Sequence, residues 1–150
     1  MERKQRIVDS LTSMGFELKE QEGFGYLFSF GHFQLVYMLS EGNDQMIRIV
    51  VPNLCEVSDD NQLAVYEAMN EIAQTVNYVK PMMVESSVWI SYEHRQVEDC
   101  DIDKVLEFMI RTLLTAATLF HRKIYYRLSK DEEQTKYKLI WKLLNSPYNS

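Results

Sequence analysis

Cysteine, proline and glycine are scarce in this chain: two, three and five among 150 residues. Two cysteines, Cys55 and Cys100, are too few for a disulfide-stapled scaffold and suit a reducing compartment. They form no C-x-x-C pair, and His32, His94 and His121 never fall four residues apart, so no zinc-ligand spacing is present. Five glycines spread over turns cannot build a phosphate cradle, and G-x-x-x-x-G-K-[ST], G-x-G-x-x-G and G-x-S-x-G are all absent. Basic side chains are outnumbered sixteen to twenty-two, and the net charge of -6 repels polyanions. A long apolar run is missing too. Ile110 to Phe120 contains Arg111 and three threonines and stops at His121-Arg122-Lys123, well short of the roughly 18 residues that span a bilayer. The charged start, Met1 to Arg6, lacks the apolar segment of an export signal. These absences point to a cytoplasmic protein with no membrane or cofactor partner.

The remaining polar clusters have ordinary structural explanations. Asp99-Cys100-Asp101-Ile102-Asp103 begins like a calcium loop, but Lys104 occupies the glycine position and Ile110 the position of the bidentate glutamate. Acidic residues at a helix start account for it. Cys100 sits among four carboxylates, which oppose a thiolate, and Cys55 beside Glu56 reads as a small apolar packing residue. The basic stretch His121, Arg122, Lys123, Arg127 and Lys130, interleaved with Tyr125 and Tyr126, is the one candidate for nucleic acid. A helix C-terminus collects such residues without any ligand. No catalytic, metal or cofactor-binding residue emerges, and the chain is not expected to be an enzyme.

What is present is a foldable pattern, with 46% hydrophobic and 25% charged residues, as in globular domains. Ile7, Val8, Leu11 and Met14 recur at helical spacing before Gly15, predicting a helix over 2–14. From Gly23 the period drops to two. Phe24, Tyr26, Phe28 and Phe30 alternate, then Phe33, Leu35, Tyr37 and Leu39, with Gly31-His32 suited to a type II′ hairpin turn. Phe30 should then oppose Phe33 and Phe28 oppose Leu35 on one face. After a turn at Glu41-Gly42-Asn43-Asp44, Ile47, Ile49 and Val51 join that face, and Pro52 should end the strand. A second helix is expected from Ser58-Asp59-Asp60-Asn61 to about Tyr78, followed by a hairpin built on Met82, Val84, Val88, Ile90 and Tyr92. Ile102, Leu106, Met109, Leu113, Ala117 and Phe120 mark a third helix. The capping box Ser129-Lys130-Asp131-Glu132 then predicts a separate last helix carrying Tyr137, Ile140, Trp141 and Leu144 and ending near Asn145 and Pro147.

The expected class is therefore α+β: an antiparallel sheet with helices, in the order α-β-β-β-α-β-β-α plus an extra C-terminal helix. One domain should cover residues 1–150, with a core over 1–128 and a helical extension over 129–150. This order, carried by the aromatic meander Phe24 to Val51, the helix Leu63 to Ile72, the strands Met82 to Tyr92 and the helix Ile102 to Phe120, resembles the YbjN-like bacterial family of sensory transduction regulators. It also resembles the type III secretion chaperones. The resemblance covers roughly residues 5 to 123. It implies a small, acidic, cytoplasmic dimer without enzymatic activity, and the secretion chaperones bind extended peptide segments.

The second sheet face is the informative one. Leu27, Val36 and Met38, beside Gly25, Ser29 and Gln34, make it too apolar for a solvated surface, so a helix, another subunit or a peptide should cover it. The second helix, the C-terminal helix bearing Tyr137 and Trp141, or a twofold partner are the three possible covers. Leu27, Val36, Met38, Tyr137 and Trp141 thus form the candidate partner-binding surface of a non-catalytic protein- or peptide-binding module, chaperone-like or regulatory, with a homodimer as one outcome. The alternatives are an enzyme whose site assembles only in three dimensions, and a nucleic-acid regulator working through residues 121–130.

Overall fold

The computed structural model describes residues 3–40, 45–96 and 101–144, and the backbone alone within 131–138. Among them run α1 (Arg3–Ser13), β1 (Lys19–Gln21), β2 (Gly25–Phe30), β3 (Phe33–Met38), β4 (Met46–Glu56), α2 (Gln62–Thr75), β5 (Val79–Val84), β6 (Ser87–Arg95) and α3 (Ile102–Leu144). The strands form one sheet in the order β1-β2-β3-β4-β6-β5, and every neighbouring pair is antiparallel. The α+β class expected from the sequence is the class observed. The turn at residues 41–44, Cys100 with Glu98 and Asp99, the Tyr137 side chain, and Asn145 with Pro147 lie outside the described residues.

Local chemistry sets most boundaries. Gly15, at φ 97°, closes α1: its N–H donates to the Thr12 carbonyl and that of Phe16 to Leu11, the paired bonds of a Schellman cap. The first hairpin has the expected register, Phe30 opposite Phe33, Phe28 opposite Leu35 and Tyr26 opposite Tyr37. Gly31 supplies the positive φ of 59° at the first turn position, as a type II′ turn requires. Short β1 escaped the sequence pattern because Lys19-Glu20-Gln21 is polar and exposed and joins the sheet edge through its backbone.

Two expectations fail for identifiable reasons. Pro52 does not end β4; the strand bulges between Val51 and Cys55, with Asn53 at φ 53°, and continues to Glu56. Inside a bulge the missing proline N–H breaks no ladder bond. The separate C-terminal helix is not found either, because α3 continues unbroken from Ile102 to Leu144. No glycine or proline interrupts it. Ile124 is buried, Leu128 packs against the core, and Lys123 and Arg127 form ion pairs to α2, so helical backbone through Ser129 is held by tertiary contacts that outweigh a capping signal.

The three helices share one face of the sheet. Ile7 and Leu11 of α1, Val65, Ala68 and Ile72 of α2, and Leu106, Met109, Leu113, Ala117 and Phe120 of α3 form one cluster with Phe28, Leu35, Tyr37, Ile49, Val51, Ile90 and Tyr92. Leu113 is completely buried at its centre. Leu113→Ala is expected to lower unfolding stability by about 2 to 5 kcal/mol, read from a chemical denaturation curve, through lost burial and a residual cavity. Gly25 meets the sheet differently: a Cβ there would stand 2.1 Å from the Tyr37 carbonyl oxygen of the paired strand. Gly25→Ala should therefore cost about 1 to 3 kcal/mol or more in the same measurement, since backbone must move to admit one methyl group.

Candidate functional site

The registers place one row of residues across all six strands: Lys19, Leu27, Val36, Val50, Ser91 and Lys80 in lateral contact order. The adjacent row, Glu20, Tyr26, Tyr37, Ile49, Tyr92 and Val79, points the other way. Glu20 stays exposed at the edge, and from Tyr26 to Val79 that second row enters the helix-covered core. The first row does not, and neither Leu27, Val36, Val50 nor Met38 belongs to the core cluster. Val36 and Val50 are nonetheless buried, while Leu27 and Met38 are half-buried on either side. Met82 and Trp89, paired on β5 and β6, extend this face. The Trp89 indole N–H donates to Asn53 Oδ1 at 3.2 Å, so the bulge in β4 also anchors that ring. At one end of the face Arg48 and Glu93, directly opposite each other, pair at 3.1 Å.

The surface is thus an apolar strip with a charged rim, buried at its centre (Val36, Val50 and Ser91) and half-buried around it, while the buried residues of the three helices belong to the cluster on the other face. Covering by α2, one of the three possibilities, is overturned: Val65, Ala68 and Ile72 are spent on the other face. Leu27, Val36 and Met38 are brought together as the sequence suggested. Trp141 belongs to α3 and not to the sheet. It sits on the far part of α3, exposed, with Leu139, Ile140, Leu143 and Leu144. Val50 and Trp89 were missed, because their assignment to this face depends on strand pairings that sequence alternation alone leaves open.

A second concavity, of about 720 Å³, lies between α2 and α3 and is lined by Leu63, Glu67, Glu71, Leu119, Arg122, Lys123, Tyr126, Arg127 and Lys130. It contains the basic stretch that could have bound nucleic acid. Lys123 pairs with Glu71 at 2.7 Å, and Arg127 bridges Glu67 and Glu71. The carboxylates of α2 therefore neutralise two of its cations, and the segment works as an interhelical clasp instead of a continuous basic patch.

His121 Nε2 lies 2.8 Å from the Leu54 carbonyl oxygen and its ring stands against Phe33 and Phe120. No group of three or more histidine, cysteine or acidic residues could hold a metal ion among the described residues. Asp101 acts on the backbone, its Oδ1 accepting from the Lys104 N–H at 3.3 Å at the start of α3, and Asp103 bonds Ser10 of α1. Burial, and then Glu56, push the Cys55 thiol up, which disfavours the thiolate. No helix among the described residues is long and apolar enough to cross a membrane.

No family model and no curated protein sequence matches the chain. Solved structures do. YbjN from E. coli, a proposed transcription regulator, superposes with a TM-score of 0.63 at 10% identity, covering 82% of this chain and 92% of that one. The chain shares the YbjN fold. An uncharacterised protein from Methanothermobacter thermautotrophicus superposes with a TM-score of 0.60 at 17% identity, covering 83% of this chain and 97% of its own. The YbjN-like architecture that the order of elements implied is therefore the observed one.

Burial pushes the Tyr37 hydroxyl up to about 12, with Tyr26 adding to the shift and Arg3 opposing it. Tyr92 is raised for the same leading reason, followed by Tyr78. A folded-state value above the ordinary value of about 10 means the protonated tyrosine favours the fold. This contribution is intact below about pH 10 and is lost as pH rises through about 12. Denaturation midpoints should accordingly fall across that window, and Tyr37→Phe should flatten the decline while leaving the smaller part due to Tyr92.

Proposed function

We propose that this chain is a non-catalytic module that binds a protein or peptide in a regulatory role, in the cytoplasm, as one domain and without a required metal or cofactor. The observation that carries the reading is the sheet face away from the helices, where half-buried Leu27, Met38 and Trp89 surround the buried Val36 and Val50 within a charged rim. Apolar surface of this kind is worth roughly 25 cal/mol per Å² when covered, and a contiguous patch marks an interaction site. Its anchored indole and flexible methionines suit a partner side chain. The description of YbjN as a proposed transcription regulator supports a regulatory role. The internally paired cations at the α2–α3 groove favour protein over nucleic acid as partner.

The test is affinity capture from the native cell with the wild type, the double variant Leu27→Glu with Met38→Glu, and Glu20→Gln as a control on the exposed sheet edge. Proteins held through the open face should fall at least tenfold with the double variant and persist with the control. An unchanged captured set, with the variant folded, would remove this face from the function.

A further inference from the structure

We propose that the groove between α2 and α3 binds a small organic phosphate monoester that carries an aromatic ring, of which a nucleoside monophosphate is the simplest type. The inference makes no use of the sheet face and stands apart from the protein-binding reading.

The groove is more cationic than its role as a clasp requires. Its wall holds Arg122, Lys123, Arg127 and Lys130 against Glu67 and Glu71, an excess of two positive charges inside a chain of net charge -6. Between Glu107 and Asp131 the sequence of α3 has no acidic residue. Lys123 and Arg127 stand four residues apart and Arg127 and Lys130 three, spacings at which like charges repel along a helix. Glu67 and Glu71 relieve Lys123 and Arg127. Arg122 and Lys130 have no carboxylate partner among the described residues, and Lys130 Nζ stands 6.0 Å from the centre of the Tyr126 ring instead. Neither closes the clasp, so holding α3 to α2 does not account for them.

Their arrangement suits a ligand with a charged head and a flat body. Arg122, Tyr126 and Lys130 recur every four residues and form one row on α3, about 12 Å long at roughly 1.5 Å per residue. Tyr126 is 66% exposed and Leu63, across the groove on α2, 72%. An exposed tyrosine between two cations offers a stacking platform for an aromatic ring beside donors for an anion. The concavity of about 720 Å³ falls within the roughly 300 to 1,000 Å³ of small-molecule sites.

Charge selects the head group. A phosphate monoester carries about -1.5 to -2 near neutral pH, which matches the excess of two, whereas a carboxylate leaves one cation uncompensated. A nucleic-acid strand is served less well. Glu67 and Glu71 interrupt the basic surface, and phosphates beyond the groove would meet a chain with an acidic excess.

Isothermal titration calorimetry on the full chain tests the site, with adenosine, guanosine, cytidine and uridine 5′-monophosphates, adenosine and inorganic phosphate as probes. At least one monophosphate should bind, roughly tenfold or more tighter than inorganic phosphate or adenosine, since head and ring are both held. Arg122→Gln with Lys130→Gln should weaken it by about tenfold or more with unchanged circular dichroism. Tyr126→Ala should weaken the monophosphate by about fivefold or more and leave inorganic phosphate unchanged. Arg95→Gln with Lys104→Gln, an equal loss of charge at exposed positions outside the groove, should leave binding as in the wild type. Absence of binding by all four monophosphates at millimolar concentration would overturn the proposal, as would binding that Arg122→Gln with Lys130→Gln does not weaken. So would tighter binding of a single-stranded oligonucleotide or a phosphotyrosine peptide than of any monophosphate, which would assign the groove to nucleic acid or to a modified protein. Capture of proteins through Leu27 and Met38 should persist in Arg122→Gln with Lys130→Gln, so the groove and the sheet face fail or stand separately.

Discussion

The structure depends on the contact between α3 and the aromatic face of the sheet. Leu106, Met109, Leu113 and Phe120 are fully buried there, and Ala116 and Ala117 are buried among them. Residues this small let a helix approach closely, and the large side chains on either side join one cluster with Leu35, Ile49 and Ile90. α1 and α2 pack beside α3, each adding its own buried stripe to the same cluster. The helices and one face of the sheet therefore satisfy one another, and the opposite face receives nothing from them.

That asymmetry links packing to function. An antiparallel sheet commonly keeps one face in water, but such a face is ordinarily polar. Here its centre is Leu27, Val36 and Val50, with Met38 and Trp89 beside them. Val36 and Val50 are already buried, and the half-buried Leu27 and Met38 are what a partner would meet. Polar groups cluster where they support the scaffold instead: Asp101 at the start of α3, Asp103 against Ser10, and Glu67 and Glu71 clasping α3 to α2.

The clasp also explains the length of α3. Lys123 and Arg127 lie one turn apart and reach the same carboxylate, Glu71, so the helix is held to its neighbour alongside the last layer of the core, Ile124 and Leu128. Partly exposed pairs of this kind contribute little individually, but they fix a direction. The helix continues from there to Leu144.

Period and turn chemistry by themselves determined the first hairpin, down to Phe28 opposite Leu35, because an alternation of period two and a glycine able to adopt positive φ admit one register. They likewise determined the core stripe of α3 and the class of the fold, since hairpins separated by amphipathic helices leave few packing solutions. Only the tertiary structure decided that Pro52 lies within a bulged strand, that Ser129 lies within a helix, and that Val50 and Trp89 share a face with Leu27. In each case the deciding energy comes from residues distant in sequence: the β6 partners of β4, the α2 carboxylates facing Arg127, and the lateral pairing of strands. Local signals of about 1 kcal/mol, such as a helix cap, yield to such contacts when the two disagree. The candidate surface was half legible for the same reason, as alternation names the residues on a face but cannot say which face the helices will take.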